Sequence, residues 1–221
     1  MRDLSLTEKL EKWVAEGGRV IGEVVIVADS GRYKLSHRAD QGAASGLESF
    51  SGPSAARDLV RYDDGGAYRP LKSAPGLKRG WVLDLDDAED LREALDYFYP
   101  AAIGIWFANQ EGALEAVPLR EVLGRQTGMY RFANNLSDAG AQTLVGRACG
   151  AAGGCLRRVC WGLEKDRPIE SLPAGELSRE PGEPGEMPIL CVEACNLLVA
   201  AARQASADEF EAAQEDGSGA S

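Results

Sequence analysis

The chain has 221 residues, 44% of them hydrophobic, and a formal net charge of −11. That length buries one sizeable core or two modest ones, and the excess of acids over scattered Lys and Arg excludes a nucleic-acid-binding surface, which needs clustered cations to neutralise phosphates. No window approaches the roughly 20 consecutive apolar residues of a membrane span, and the opening "MRDLSLTEKLEKW" carries charges where a signal peptide needs an apolar segment, so a cytoplasmic protein without a membrane partner is expected.

In chain order, "SLTEKLEKWVAE" (5–16) begins with the capping-box pair Ser5 and Glu8 and places Leu6, Leu10, Trp13 and Val14 on one face, which predicts an amphipathic helix ended by Gly17 and Gly18. "RVIGEVVIVADSGRYKLSHRAD" reads as two β-rich runs around a turn at Asp29 to Gly31. Residues 41–53 are rich in Gly, Ala and Ser and read as a loop, and a short helix follows from Ser54 to about Tyr62. "GAYRPLKSAPGLKRGWVLDLD" holds two extended pieces around a Pro-Gly turn, and "DDAEDLREALDYFY" spaces Leu91, Leu95 and Phe98 for a helix that Pro100 stops before "AAIGIWFANQ" continues as a more buried one. Ser137 is placed to N-cap a helix through "DAGAQTLVGRA", with Leu144 and Val145 on its inner face, which delivers the chain to Cys149. Residues 167–188, dominated by Pro, Gly and Glu, read as an exposed loop. "ILCVEACNLLVAAARQ" (189–204) reads as an apolar helix carrying Cys191 and Cys195 on one face. These elements predict an α+β protein with a mixed domain over 1–125, a small, mainly helical cysteine domain over 126–205 and a disordered acidic tail over 206–221.

All five cysteines, Cys149, Cys155, Cys160, Cys191 and Cys195, fall between 149 and 195, in the spacing Cys-x5-Cys-x4-Cys-x30-Cys-x3-Cys. In a reducing compartment such clustering points to metal ligation or redox chemistry rather than structural disulfides. A loop bringing Cys149 and Cys155 to a helix presenting Cys191 and Cys195 assembles four thiolates, which suit zinc or an iron-sulfur cluster. Residues four apart on a helix hold their β-carbons about 5–6 Å apart, whereas thiolates about 2.3 Å from a single zinc converge more closely, which favours the cluster, although helical i, i+4 pairs also bind zinc. Neither half carries the Cys-x2-Cys knuckle common in structural zinc sites, and no histidine is nearby. Buried or redox-active thiols are the remaining alternative.

The stretch "GMYRFANNLSDAGAQTLVGRACGAAGGCLRRVCW", followed after a variable loop by "CVEACNLLVAAAR", resembles the 4Fe-4S-binding domain at the C-terminus of multidomain proteins similar to sirohydrochlorin cobaltochelatase. "LSHRAD" and "YRPLKSAPGLKRGW" followed by "YP" are similar to the stabilising domain that precedes it there, so the resemblance covers about residues 20 to 204. It implies one 4Fe-4S cluster on Cys149, Cys155, Cys191 and Cys195, with Cys160 as the extra thiol that competes with Cys155 for the assignment. It further implies electron transfer or an accessory role in tetrapyrrole or cobalamin metabolism beside a chelatase-like or redox partner. The chain has no room for the chelatase domains, so metal insertion is not carried over. The competing expectation is a non-redox scaffold stapled by the cluster or by zinc for a protein partner.

Outside the cysteines no Walker loop, dinucleotide fingerprint or nucleophile elbow is present. Arg157 and Arg158 either offset the charge of a thiolate-bound cluster or are simply solvated. His37, with Arg38 and Asp40 nearby, is either a hydrogen-bonded structural side chain or a general base working with Arg69 and Lys72. Arg69, Lys72, Lys78 and Arg79, set among aromatics, either recognise the carboxylates of an acidic tetrapyrrole or another anion, or form a solvated turn.

Overall fold

The computed structural model describes residues 4–42, 46–63, 65–69, 75–151, 153–177 and 184–218. Up to residue 114 the elements are α1 (Leu6–Ala15), β1 (Val20–Ile21), β2 (Val24–Asp29), β3 (Arg32–His37), β4 (Glu48–Ser51), α2 (Ala56–Leu59), β5 (Trp81–Leu85), α3 (Ala88–Phe98) and α4 (Ala102–Gln110). Beyond it come α5 (Leu119–Gly124), α6 (Asp138–Ala148), β6 (Arg158–Val159), α7 (Ala174–Leu177), β7 (Glu186–Met187), β8 (Leu190–Cys191) and α8 (Asn196–Ser218). The architecture is α+β, and the chain divides into two compact units, Met1–Leu114 with Glu180–Leu190, and Glu115–Arg179 with Cys191–Ser221.

The first unit is built on a six-stranded sheet of order β4-β5-β3-β2-β1-β7. β2 and β3 form the expected hairpin, in register from Val24 opposite His37 to Asp29 opposite Arg32. Its two-residue turn places Ser30 at φ 52° and Gly31 at φ 84°, the doubly left-handed geometry that matches the twist of paired strands and that glycine adopts without steric cost. The capping box opens α1 as expected: Ser5 Oγ accepts the amide of Glu8, and the Glu8 carboxylate accepts the amide of Ser5. Asp87 caps α3 by accepting the amides of Glu89 and Asp90. Leu91, Leu95 and Phe98 face inward from α3, and Phe98 stacks on Trp81 of β5 at 5.2 Å between ring centroids.

Two segments expected to be loops supply strands to this sheet. β4 lies within 41–53 and pairs in parallel with β5 from Glu48 opposite Trp81 to Ser51 opposite Asp84. β7 lies within 167–188 and pairs in parallel with β1, joined by the amides of Arg19 and Val20 donating to the carbonyl of Gly185 at 2.8 and 3.0 Å. Both are short edge strands whose backbone hydrogen bonds are made regardless of side-chain pattern, so neither carries the apolar alternation that would announce it.

The second unit packs α5, α6 and α8 around Leu119, Val122, Leu123, Ala141, Val145, Leu198, Val199 and Ala202, closed by Val159, Trp161 and Leu163. α5 therefore belongs with the cysteine half, because Leu119, Val122 and Leu123 are buried in that core, and the division falls at 114 rather than 125. Ile169 and Leu172, within the expected exposed loop, are buried in the same core. The segment expected to be a disordered tail continues α8 to Ser218. Its Ala- and Glu-rich composition favours helix, and it is tied down where Ser206 Oγ donates to the carbonyl of Phe132 at 2.6 Å and the Glu209 carboxylate accepts from the amide and hydroxyl of Ser137 at 3.0 and 2.8 Å. Among the described residues no helix is long and apolar enough to cross a membrane.

Candidate metal centre

α6 aims the first thiol. Ser137 Oγ caps the helix by accepting the amide of Gly140 at 3.0 Å, and at the far end Cys149 leaves helical geometry (φ −115°, ψ 159°) while its amide still donates to Val145. From there the chain folds back on itself: the amide of Gly153 donates to the carbonyl of Cys149 at 3.2 Å, and that of Cys155 to Gly150 at 2.9 Å. A β-carbon on residue 153 would stand 2.3 Å from the carbonyl carbon of Ala148 and 2.4 Å from the nitrogen of Cys149, so only glycine permits so tight a return. Glu176 of α7 clamps the same loop by accepting the amide of Ala151 on both carboxylate oxygens, at 3.0 and 3.1 Å.

The other pair arrives differently from expectation. Cys191 is extended, in β8, with its carbonyl accepting the amide of Cys160 at 2.9 Å. α8 begins only at Asn196, and the carbonyl of Cys195 accepts the amide of Val199 at 3.0 Å, so Cys195 occupies the N-cap position. The two thiols therefore do not share one helical face. Strand pairing of Leu190 and Cys191 overrides the apolar helical period of 189–195, as tertiary contacts routinely do for short segments. The N-terminus of α8, where Cys195 sits, favours negative charge.

Cys191 is buried, and Cys149, Cys155 and Cys195 are half-buried. Cys149 is pushed up to about 12, first by burial and then by Cys191, Cys155 and Cys195. Cys155 is raised by burial and by Cys195, against the opposing backbone N–H and positive charge of Arg157. Cys191 is raised by burial, and a hydrogen bond from Trp161 and the charge of Arg157 pull it back. Cys160 faces elsewhere: its Sγ lies 3.7 Å from the carbonyl of Arg158, and it lines a surface cavity of about 260 Å³ with Trp161, Lys165, Arg167 and Leu177. Among the described residues no three His, Cys, Asp or Glu side chains converge as a ready-made site for one metal ion. The donor chemistry suits a thiolate-ligated cluster: the Arg157 cation acts on Cys155 and Cys191, and the Trp161 indole N–H also reaches Cys191, so both offset part of the cost that burial puts on the thiolates ligation requires.

The raised thiols give the iron-free protein a defined pH response. A thiol at about 12 in the folded chain against an ordinary 9 holds its proton more tightly when folded. The stability this contributes is complete below pH 9 and is lost as the pH climbs towards about 12. The urea midpoint of the iron-free protein should fall through that window, and by less in Cys149→Ser. Equal slopes for the two proteins would remove Cys149 as the cause.

The described residues among the other candidates belong to the first unit. His37 is 3% exposed; its Nδ1 accepts the amide of Ala39 at 3.0 Å, and its Nε2 lies 3.6 Å from Glu23 Oε1. That arrangement fits the structural reading of His37. Arg69 is buried at 6% exposure, Lys78 pairs with Glu48 at 3.5 Å, Arg79 is exposed and Lys72 lies outside the described residues. Three residues to which the sequence reading gave no role prove to matter at the thiols: Trp161 as a donor, Glu176 as the loop clamp and Gly153 as the close approach. Only the glycine left a trace in the sequence, in the run "GAAGG".

Residues 6–110 match the family model of the DR2241 stabilising domain, and residues 111–204 match that of a 4Fe-4S iron-sulfur cluster binding domain. Among solved structures the chain is similar to DR2241 from Deinococcus radiodurans, described as a multi-domain protein with structural similarity to chelatases and two additional novel domains. The two share 29% identity and a TM-score of 0.74 over 93% of this chain and 43% of that one. This chain therefore spans less than half the length of DR2241. No curated protein matches the sequence.

Proposed function

We propose that this chain, a DR2241 stabilising domain joined to a 4Fe-4S iron-sulfur cluster binding domain, holds its cluster on Cys149, Cys155, Cys191 and Cys195 and passes electrons through it. The observation that carries the ligand set is the packing of Cys149, Cys191 and Cys195 about one apolar core, with Cys155 returned towards Cys149 by the tight loop and Cys160 lining a surface cavity. When bound, the cluster supplies one-electron redox chemistry. The protein's part is to present four cysteines that the cluster would bind as thiolates, to offset part of the charge with Arg157 and to bury Cys191. Three half-buried thiols leave one side of the centre near solvent, which suits exchange with a partner more than a purely internal staple does. Similarity to a protein itself similar to chelatases supports a chelatase-associated setting, and the proposal extends this to tetrapyrrole or cobalamin metabolism, a chelatase-like or redox partner and a cytoplasmic location. A structural, non-redox role is the second reading, favoured by the short strands of the second unit, which metal bonds would brace.

Anaerobic purification followed by iron, sulfide and zinc analysis tests the proposal, with visible spectra before and after dithionite. About four irons and four sulfides per chain are expected, with a broad absorption that bleaches and returns on reoxidation. Zinc without sulfide overturns the cluster assignment; a cluster that cannot be reversibly reduced overturns electron transfer and leaves the structural role.

A further inference from the structure

We infer that Trp161 sets the redox potential of the centre by donating its indole N–H to the sulfur of Cys191, an inference that rests on the proposed role of Cys191 as a ligand. The indole Nε1 lies 3.4 Å from Cys191 Sγ, and both residues are buried, Trp161 at 3% and Cys191 at 9% exposure, so the contact is largely shielded from water. Tryptophan is a donor only, so this contact has one polarity. The backbone fixes it in place. Next to Trp161, the amide of Cys160 donates to the carbonyl of Cys191 at 2.9 Å, which locks the two strands in register. On its other side the carbonyls of Gly162 and Leu163 accept the amides of Leu119 and Arg120, both at 3.0 Å. An indole held at both flanks and packed in the core cannot swing away when the charge on the sulfur changes.

The consequence for potential follows from charge. Reduction adds an electron to the cluster and so raises the negative charge shared with its sulfurs. A fixed N–H aimed at one of those sulfurs stabilises the reduced state more than the oxidised one, and more so in a dry, low-dielectric site. Trp161 therefore holds the potential above the value that the same four thiolates would give without it. Packing alone makes no such claim, since a phenylalanine ring fills most of the space and donates nothing.

The test is potentiometric titration of the purified, cluster-bearing protein with dithionite and mediators, comparing the natural chain with Trp161→Phe. Iron content is measured first: a natural chain without iron overturns the ligand reading, and this inference with it, before any variant is needed. With iron retained in both, a lower midpoint potential in Trp161→Phe is expected, and an unchanged midpoint overturns the inference. Should Trp161→Phe fail to fold or to hold iron, the natural chain labelled with 15N at its four tryptophan indoles decides instead. One indole N–H signal with a hyperfine shift that changes on reduction supports the hydrogen bond, and four unshifted signals overturn it.

Discussion

Cys149→Ser is expected to lose most of its iron and sulfide, while Cys160→Ser keeps both. Cys149 is the thiol on which the other three all act, and it stands at the hinge where α6 gives way to the tightly returning loop. A serine oxygen there is harder and far more reluctant to ionise than a thiol, and soft iron-sulfur centres discriminate strongly against it. Cys160 presents its sulfur to the carbonyl of Arg158 and to the surface cavity, while its backbone amide, which serine retains, does the structural work of pairing with Cys191. Iron and sulfide per chain after anaerobic purification should fall below about one each in Cys149→Ser and stay at about four each in Cys160→Ser. Iron loss in Cys160→Ser with retention in Cys155→Ser would transfer the ligand role from Cys155 to Cys160.

The contrast between these two cysteines also marks the limit of what sequence makes legible. Signals that act over a few residues read correctly: the Ser5–Glu8 capping box, the turn at Ser30–Gly31 and the Ser137 cap of α6 are each satisfied by neighbours within four positions. The 4Fe-4S cluster was also legible, because clustering and softness are properties of composition. What could not be read was geometry decided at a distance. Cys191 is extended because residue 160 pairs with it, and its indole donor is 30 positions away. β4 and β7 are strands because β5 and β1 offer them free edges, and their own residues carry no alternating pattern. α8 outruns the expected tail because Ser137 and Phe132 fasten it through side chains that a compositional reading counts only as polar.

Removing the iron anaerobically with a chelator is expected to unfold much of the second unit and leave the first intact. The first unit owes nothing to the thiols: its six-stranded sheet and the Trp81–Phe98 stack lie wholly in residues free of cysteine. In the second unit, by contrast, the four thiols come from a helix end, a loop, a two-residue strand and a helix start. Each of those is weak alone, since two-residue strands pair through few hydrogen bonds and the Cys149–Cys155 loop buries little apolar surface. Bonds from four such places to one centre cross-link them, and the free energy of metal binding becomes free energy of folding, on a scale of about 10 kcal/mol for comparable structural metal sites. Losing that exceeds most of what holds a small domain together. Hydrogen exchange followed by mass spectrometry should show residues 149–163 and 190–200 losing protection on chelation, while the hairpin of β2 and β3 and the strand β5 keep theirs. Protection unchanged in the cysteine segments would mean that the apolar core around Val145, Trp161 and Val199 suffices without metal. The centre would then be present for electron transfer alone, which the reversible reduction described above measures independently.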